Sequence, residues 1–326
     1  MATTKAEQYG FQKVAGVDAS GHAVLRVVQW NLLAQNLTRT AVFPHSVPNN
    51  CLKWKNRGPA IVEALRALAA DVLLLEEVDQ YESYYAPILR KMGYEACYKQ
   101  RTGKKQDGSL VAWRSDRVRC IERSCIEYND LCEGLTPPPE GKDARADVGE
   151  PDAFTRLNRD CVAATALLEV IPTSDSDISQ KILCCATQLF WDPALAEVKL
   201  AQAELLAARL KEKSSGEGIP LLLGADMNSL PRDPPVNALM ASAGLVNALQ
   251  VATSDDIALR ATTVTPKFTG CIDYIMCSPG LIPVGYLPLP SESHESVGAG
   301  LPNGNWPSDH FPVGVELRLQ QQSKAV

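Results

Sequence analysis

Apolar runs rich in Val, Leu and Ile recur at 24–30, 71–77, 93–99, 109–114, 162–171, 182–187, 219–225, 272–277 and 311–317, each of strand length and bounded by polar or turn-forming residues. Between them the period changes. Leu195, Val198, Ala201, Leu205 and Ala208 recur at three- and four-residue steps behind Asp192-Pro193, a helix start signal, and predict a helix over 194–210. Further helices are predicted over 59–69, 84–91 and 235–243. The segments 133–152, containing PPPEGKDARADVGEP, and 291–307, rich in Ser, Gly, Pro and Asn, read as exposed loops. Strand-like sequence continues on both sides of each, so neither reads as a linker. The pattern is α/β, without an internal repeat.

With 326 residues, 45% hydrophobic and 21% charged, the chain has ordinary globular composition, which excludes disorder as a global description. Its first residues, MATTKAEQYGFQKVAG, hold no apolar signal core or Arg-rich amphipathic pattern, and no run of about 18 apolar residues follows. The expectation is a cytoplasmic or nuclear protein that does not engage a membrane. Ten cysteines occur with no C-x-x-C pair and no His at zinc-ligand spacing, so free thiols are expected. A formal charge of −6 argues against a general nucleic-acid coat. Locally, 99–123 carries eight basic residues against three acids. It reads either as a face for a phosphate backbone, with Lys99 and Arg101 as substrate contacts, or as a solvated strand and loop.

Polar residues sit at the strand ends. Asn31 closes the first predicted strand, Glu77 the second, Gln188 follows ILCCAT, and Asp226 and Asn228 follow PLLLGA. Asp273 interrupts a strand, and Asp309-His310 opens the last. Several strands therefore deliver carboxylates, amides and an imidazole towards what reads as one sheet edge, where α/β proteins form their sites. Phosphodiester cleavage suits such a set. Mg²⁺ takes carboxylate and amide oxygens and keeps several waters, so Glu77 reads as its principal ligand. A base working near neutral pH suits an imidazole backed by a carboxylate, which points to His310 with Asp273. Taken singly, a strand-end Glu also reads as a solvated residue, D-x-N as an Asx turn and Ser308-Asp309-His310 as a cap.

In order, QWNLLAQ (29–35), LEEVD (75–79), ATQLFWDP (186–193), GADMNSLP (224–231), IDYI (272–275) and SDHFP (308–312) resemble the endonuclease/exonuclease/phosphatase superfamily. Within it, WDP followed by VKLAQ (198–202), DMNSLP and KFTGCIDYI (267–275) are similar to the carbon catabolite repressor-type deadenylases and nocturnin. The resemblance runs from about 24 to 318. It implies one catalytic domain over 24–318 with a loop insertion near 133–152, an N-terminal extension over 1–23 and a tail over 319–326. The implied fold is a four-layer α/β sandwich of two packed mixed β-sheets flanked by helices, with one or two Mg²⁺ at its rim and Mn²⁺ as a substitute. By position, Asn31 and Glu77 would hold the metal, with Asp309 a further metal or structural carboxylate. Asp226 would position or activate water, Asn228 would bind the scissile phosphate, and Asp273 and His310 would pair. Pro193 and Phe268 match positions that flank the terminal adenine.

Two positions depart from the family pattern. The usual T-H before WDP reads Thr187-Gln188, so the donor to the phosphoryl oxygen is neutral, and loss of one charge-assisted donor costs on the order of 10²–10³ in turnover. Cys161 stands where the deadenylases carry Asn. The leucine-rich repeats that dock some deadenylases are not expected here. The leading expectation is a 3′-to-5′ exoribonuclease releasing nucleotides from poly(A), its partner an RNA 3′ end or adenine nucleotide. The alternatives are a nocturnin-like phosphatase of a phosphorylated dinucleotide, or a weakly active or non-catalytic RNA-binding homologue.

Overall fold

In a computed structural model that describes residues 5–18, 22–137, 152–172, 179–215, 218–256 and 260–320, the strands are assigned in chain order. They are β1 (Gln12–Lys13), β2 (Val24–Asn31), β3 (Val72–Glu76), β4 (Tyr94–Gln100), β5 (Gly108–Arg114), β6 (Val118–Glu127), β7 (Val162–Val170), β8 (Gln180–Gln188), β9 (Leu221–Asp226), β10 (Val246–Asn247), β11 (Thr263–Val264), β12 (Thr269–Gly270), β13 (Asp273–Cys277), β14 (Leu281–Tyr286) and β15 (Val313–Leu319). The helices are α1 (Lys5–Gln8), α2 (Trp54–Leu68), α3 (Ala86–Lys91), α4 (Ala153–Leu157), α5 (Ala196–Ser214), α6 (Pro234–Ala243) and α7 (Ala248–Thr253). A seven-stranded sheet runs β1-β14-β15-β2-β3-β5-β4 and a six-stranded sheet β10-β13-β9-β8-β7-β6. Within them β2–β3 and β8–β9 pair parallel, so both sheets are mixed.

Alternation along the strands builds the layers. On β2, Leu25 and Val27 join the core between the sheets, while Val28 and Trp30 face the cluster that includes Ile61, Leu65 and Leu68 of α2. On β3, Leu74 points between the sheets and Leu73 and Leu75 towards α2. Val198, Leu206 and Leu210 of α5 and Val236 and Leu239 of α6 join the core from the other side. The sheets approach closely at Gly224, where a Cβ would lie 2.5 Å from Leu74 Cβ and 3.1 Å from Gln29 Cβ. Any larger residue there forces the layers apart.

Several elements differ from the sequence-based expectation. β6 was not anticipated, because its buried positions are few and Arg119, Glu122 and Arg123 hide the alternation of an edge strand. In β14 Pro283 and Gly285 read as turn punctuation, and the register shifts between them. α2 begins at Trp54, five residues before Pro59, and its first turn is held by Asn56 and Arg57 amides donating to Lys53 O. The buried face of α5 contains Val198, Gln202, Leu206 and Leu210, while Ala208 is exposed. Residues 138–151 of the expected loop, with 1–4, 19–21 and 321–326 of the expected extension and tail, lie outside the described residues. The described part of that extension packs on the fold: Gln12 and Lys13 pair with Tyr286 and Gly285, and buried Tyr9 meets Trp306 edge to face. The ten cysteines are free thiols. Among the described residues no helix is long and apolar enough to cross a membrane.

Candidate active site

Strand direction gathers the polar ends. The C-terminal ends of β2, β3, β8 and β9 and the N-terminal end of β13 share one rim, because Asn31 registers with Glu76, Gln188 with Asp226, and Asp226 with Asp273. Just before β15, Ser308 Oγ donates to Asn31 O at 2.6 Å and accepts from His310 N, and Trp30 Nε1 donates to His310 O at 2.8 Å. These bonds lock the SDHFP loop onto the end of β2.

Glu77 and Asp226 converge on two shared donors. Asn31 Nδ2 lies 3.0 Å from Glu77 Oε1 and 2.9 Å from Asp226 Oδ2, and Gln188 Nε2 lies 2.7 and 3.1 Å from the same oxygens. Ala34 N donates to Glu77 Oε2 at 3.0 Å, and Glu77 sits at φ +52°, a left-handed turn immediately past β3 that aims its carboxylate at the rim. Asn228, at φ +46°, donates its backbone N–H to Asp226 Oδ1 at 3.0 Å and its side-chain amide to Leu189 O at 2.9 Å, which ties the two loops together. Burial, followed by the Asp273 charge, pushes the Asp226 carboxyl up to about 7 against the opposing charge of His310.

The second constellation is the Asp273–His310 pair. His310 Nδ1 lies 2.8 Å from Asp273 Oδ2, which also accepts from Thr262 Oγ1 at 2.6 Å, while Asp273 Oδ1 accepts from Gln29 Nε2 at 3.1 Å. Burial alone pushes the imidazole down. The charges of Asp273, Asp309 and Asp226 and the Asp273 hydrogen bond outweigh it, so the ring is held well above its usual range. Asp309 Oδ1 lies 3.8 Å from His310 Nε2 and is buried without a hydrogen-bond partner. Asp226, Asp273 and His310 offer ligand atoms within 4.8 Å of one another. The Asp273 oxygens are nonetheless taken by three donors. Glu77 and Asp226 likewise accept three donors each, so of these carboxylates Asp309 is the one with an oxygen, Oδ1, left without a hydrogen bond for a hard cation. Burial raises the Asp309 carboxyl, and Glu77 lies close enough for its charge to raise it further. Asn31 presents its amide nitrogen to the carboxylates and its oxygen to Leu33 N.

Pro193 and Phe268 are exposed, in loops adjoining the site ends of β8 and β13. Phe268 is held by a turn with Thr265 and packs with Leu230 around Gly270. Lys99 is engaged by Glu127, and Arg101 donates to the carbonyls of Asp160 and Arg159 and pairs with Asp107 at 3.5 Å. Of the other basic residues in 99–123, Arg114 pairs with Asp116, Arg117 with Asp71, Arg119 with Glu169 and Arg123 with Glu95. The charge surplus read from that stretch is largely neutralised, since Glu127, Asp71, Glu169 and Glu95 reach it from outside. Cys161 is buried, with Arg101 Nη2 3.8 Å from its sulfur.

The sequence profile of the endonuclease/exonuclease/phosphatase family matches residues 28–310. The chain belongs to this family. It is 35% identical to carbon catabolite repressor protein 4 homolog 4 of Arabidopsis thaliana, over 91% of this chain and 78% of that protein. It is 27% identical to the CCR4-Not complex 3′-5′-exoribonuclease subunit Ccr4 of Yarrowia lipolytica over 91% of this chain, and spans only 48% of that relative's length. Among solved structures it is similar to ANGEL2, a 2′,3′-cyclic phosphatase, in complex with adenosine-2′,3′-vanadate (TM-score 0.73, 21% identity, 96% of this chain and 99% of that one). It is likewise similar to the human Nocturnin catalytic domain with bound sulfate (TM-score 0.70, 22% identity, 97% and 98%). At these identities the two structures speak for the fold.

Several residues that brace the site in this endonuclease/exonuclease/phosphatase domain were missed by sequence reasoning. Lys199 Nζ donates to Asn228 O at 2.8 Å, and Gln202 Oε1 accepts from Phe190 N at 2.9 Å, so one buried turn of α5 holds both site loops. The available signal was two polar residues on the inward face of an amphipathic helix. Thr262 orients Asp273, and Gln29 uses both amide protons to bridge Asp273 and Glu76. Arg57, 1% exposed, donates to Leu32 O, Pro307 O and Gln35 Oε1 and so ties the loop after β2 to the one before His310.

Proposed function

We propose that this chain is a Mg²⁺-dependent phosphodiesterase that removes nucleotides from RNA 3′ ends, with poly(A) the preferred strand and Mn²⁺ a substitute cation. One observation carries the reading: Glu77 and Asp226 share two amide donors at the same rim that holds the Asp273–His310 pair. Glu77 and Asp309 would hold the cation, which when bound supplies charge neutralisation for phosphate oxygens, while Asn31, a ligand by the resemblance, braces Glu77 and Asp226 through its amide nitrogen. Asp226, poised near neutral pH, accepts a proton from the attacking water. The carboxylates around His310 hold its imidazole well above the usual range. In its protonated form Nε2 donates to a phosphate oxygen, the other role being the base read from the sequence. Asn228 binds beside it, and Pro193 and Phe268 flank the terminal adenine. The name of the Yarrowia relative, a 3′-5′-exoribonuclease subunit, supports an RNA substrate.

The test is digestion of 5′-labelled oligo(A) by the purified chain with Mg²⁺ and with a chelator, beside phosphate release from a phosphorylated dinucleotide. Stepwise, chelator-sensitive shortening is expected. Phosphate release without shortening would move the assignment to the nocturnin-like alternative. A second reading, a slow or non-cleaving RNA-binding protein, is favoured by Gln188, whose neutral amide already spans both carboxylates. Oligo(A) retention without shortening is its signature.

A further inference from the structure

Trp191 is 65% exposed, although its neighbour Phe190 is only 8% exposed. The exposure is built into the loop. Leu189 N donates to Asp226 O and its carbonyl accepts from Asn228, Phe190 N donates to buried Gln202, and Ala194 N donates to Asp192 Oδ1. With its flanks pinned, the indole is presented to solvent at no further ordering cost. Phe190 ties it to a cation: the Arg159 guanidinium sits 4.6 Å over the Phe190 ring, and Trp191 lies 6.0 Å from that ring at 48°. Arg159 has no acidic partner among the described residues, its Nε donating to Arg156 O at 2.8 Å. Trp191 is three residues beyond Gln188, whose side chain touches the carboxylate pair, at most about 10 Å of extended backbone from it.

We propose that Trp191, with Arg159 on the adjoining Phe190 ring, forms a second nucleotide subsite that stacks the base adjoining the one at the cleavage site and neutralises its phosphate. An exposed indole linked through one aromatic ring to a guanidinium that has no acidic partner among the described residues is the chemistry that single-stranded nucleic acid takes, the indole meeting a base face and the cation the backbone. The subsite accepts any base, because every base has a π-face. It uses neither Pro193 nor Phe268 and rests on the proposed RNA-cleaving function.

The experiment compares wild type, Trp191→Ala, Trp191→Phe and Arg159→Ala. It measures kcat and KM on oligo(A), hydrolysis of bis(p-nitrophenyl) phosphate, which has no second nucleotide, and oligo(A) affinity in chelator by fluorescence anisotropy. Trp191→Ala is expected to raise KM for oligo(A) and weaken its binding by roughly five- to a hundredfold, with kcat nearly kept and the small ester cleaved at the wild-type rate. Trp191→Phe should recover most of the loss, and Arg159→Ala should flatten the salt dependence of binding. Equal impairment on both substrates, or no change on oligo(A), overturns the subsite, the latter leaving the indole to a protein partner. If wild type binds oligo(A) through Trp191 but never shortens it, the cleavage reading fails and the subsite stands. If wild type neither binds nor shortens it, both fail.

Discussion

Replacing Gln188 by histidine tests how the carboxylate pair is managed. The Gln188 amide nitrogen lies 2.7 Å from Glu77 Oε1 and 3.1 Å from Asp226 Oδ2, so the two oxygens are less than about 6 Å apart. At that separation two full charges repel by roughly 3 kcal/mol at an effective dielectric of 20. Two neutral amides offset this, and burial completes the effect by raising Asp226 to about 7. An imidazolium at 188 would donate a charge-assisted bond, roughly twice the strength of the neutral one, to the oxygens there or to a phosphoryl oxygen in transit. Gln188→His is therefore expected to raise kcat on oligo(A) by roughly ten- to a thousandfold. Gln188→Ala, which leaves Asn31 as the one shared side-chain donor, should lower it. The assay is steady-state shortening of 5′-labelled oligo(A) across a Mg²⁺ titration, so that a change in cation affinity is separated from one in turnover. An unchanged or lower kcat for Gln188→His, at unaltered Mg²⁺ dependence, would refute the reasoning and mean the site is built around the amide.

Glu77→Ala should abolish Mg²⁺-dependent cleavage while the thermal midpoint holds, since this carboxylate faces the rim; retained activity would remove it from the metal site. Phe268→Ala should weaken oligo(A) cleavage by about ten- to a hundredfold, mainly in KM, and barely affect bis(p-nitrophenyl) phosphate; equal loss on both would make the ring structural. Glu76→Gln concerns stability. Burial, then the Asp273 charge, raises the Glu76 carboxyl well above its ordinary 4.5, so the folded chain keeps a proton that the unfolded chain has lost. Wild type should thus lose about 1.4 kcal/mol per pH unit on rising from 4.5 towards the folded value. The variant should lack that loss, and its urea midpoint should gain on wild type as the pH rises above 4.5; parallel midpoints would contradict the assignment.

The rim was legible because apolar runs end abruptly in polar residues at Asn31, Glu77, Gln188 and Asp226, and a parallel register sets those ends side by side. Partners arriving through pairing were not legible. Glu95, Glu127, Glu169 and Asp71, which neutralise Arg123, Lys99, Arg119 and Arg117, all lie outside the window whose charge was counted, and only strand pairing and sheet packing bring them in. Period located α5 but not its function-bearing turn. A reading that scores apolar positions draws the face through Leu195, Val198, Ala201, Leu205 and Ala208, of which Val198 is buried, whereas the face is completed by Lys199 and Gln202, whose buried heads have carbonyl and amide partners.

Gln29 and Glu76 show why the inner part of the site escapes a strand-by-strand reading. Each lies within its strand, Glu76 directly beside Glu77, where alternation alone assigns it to the core between the sheets. That assignment is geometrically right, since both are fully buried. It misses the chemistry, because burying an amide whose protons lack acceptors costs free energy. Gln29 finds them in Glu76 Oε2 at 2.9 Å and Asp273 Oδ1 at 3.1 Å, on neighbouring strands of different sheets. The approach of the sheets at Gly224 makes that span possible, and the Asp273 carboxylate that backs His310 is thereby anchored to the far layer of the sandwich. The orientation of the imidazole thus depends on the packing distance between the sheets, a quantity that no local pattern in the sequence encodes.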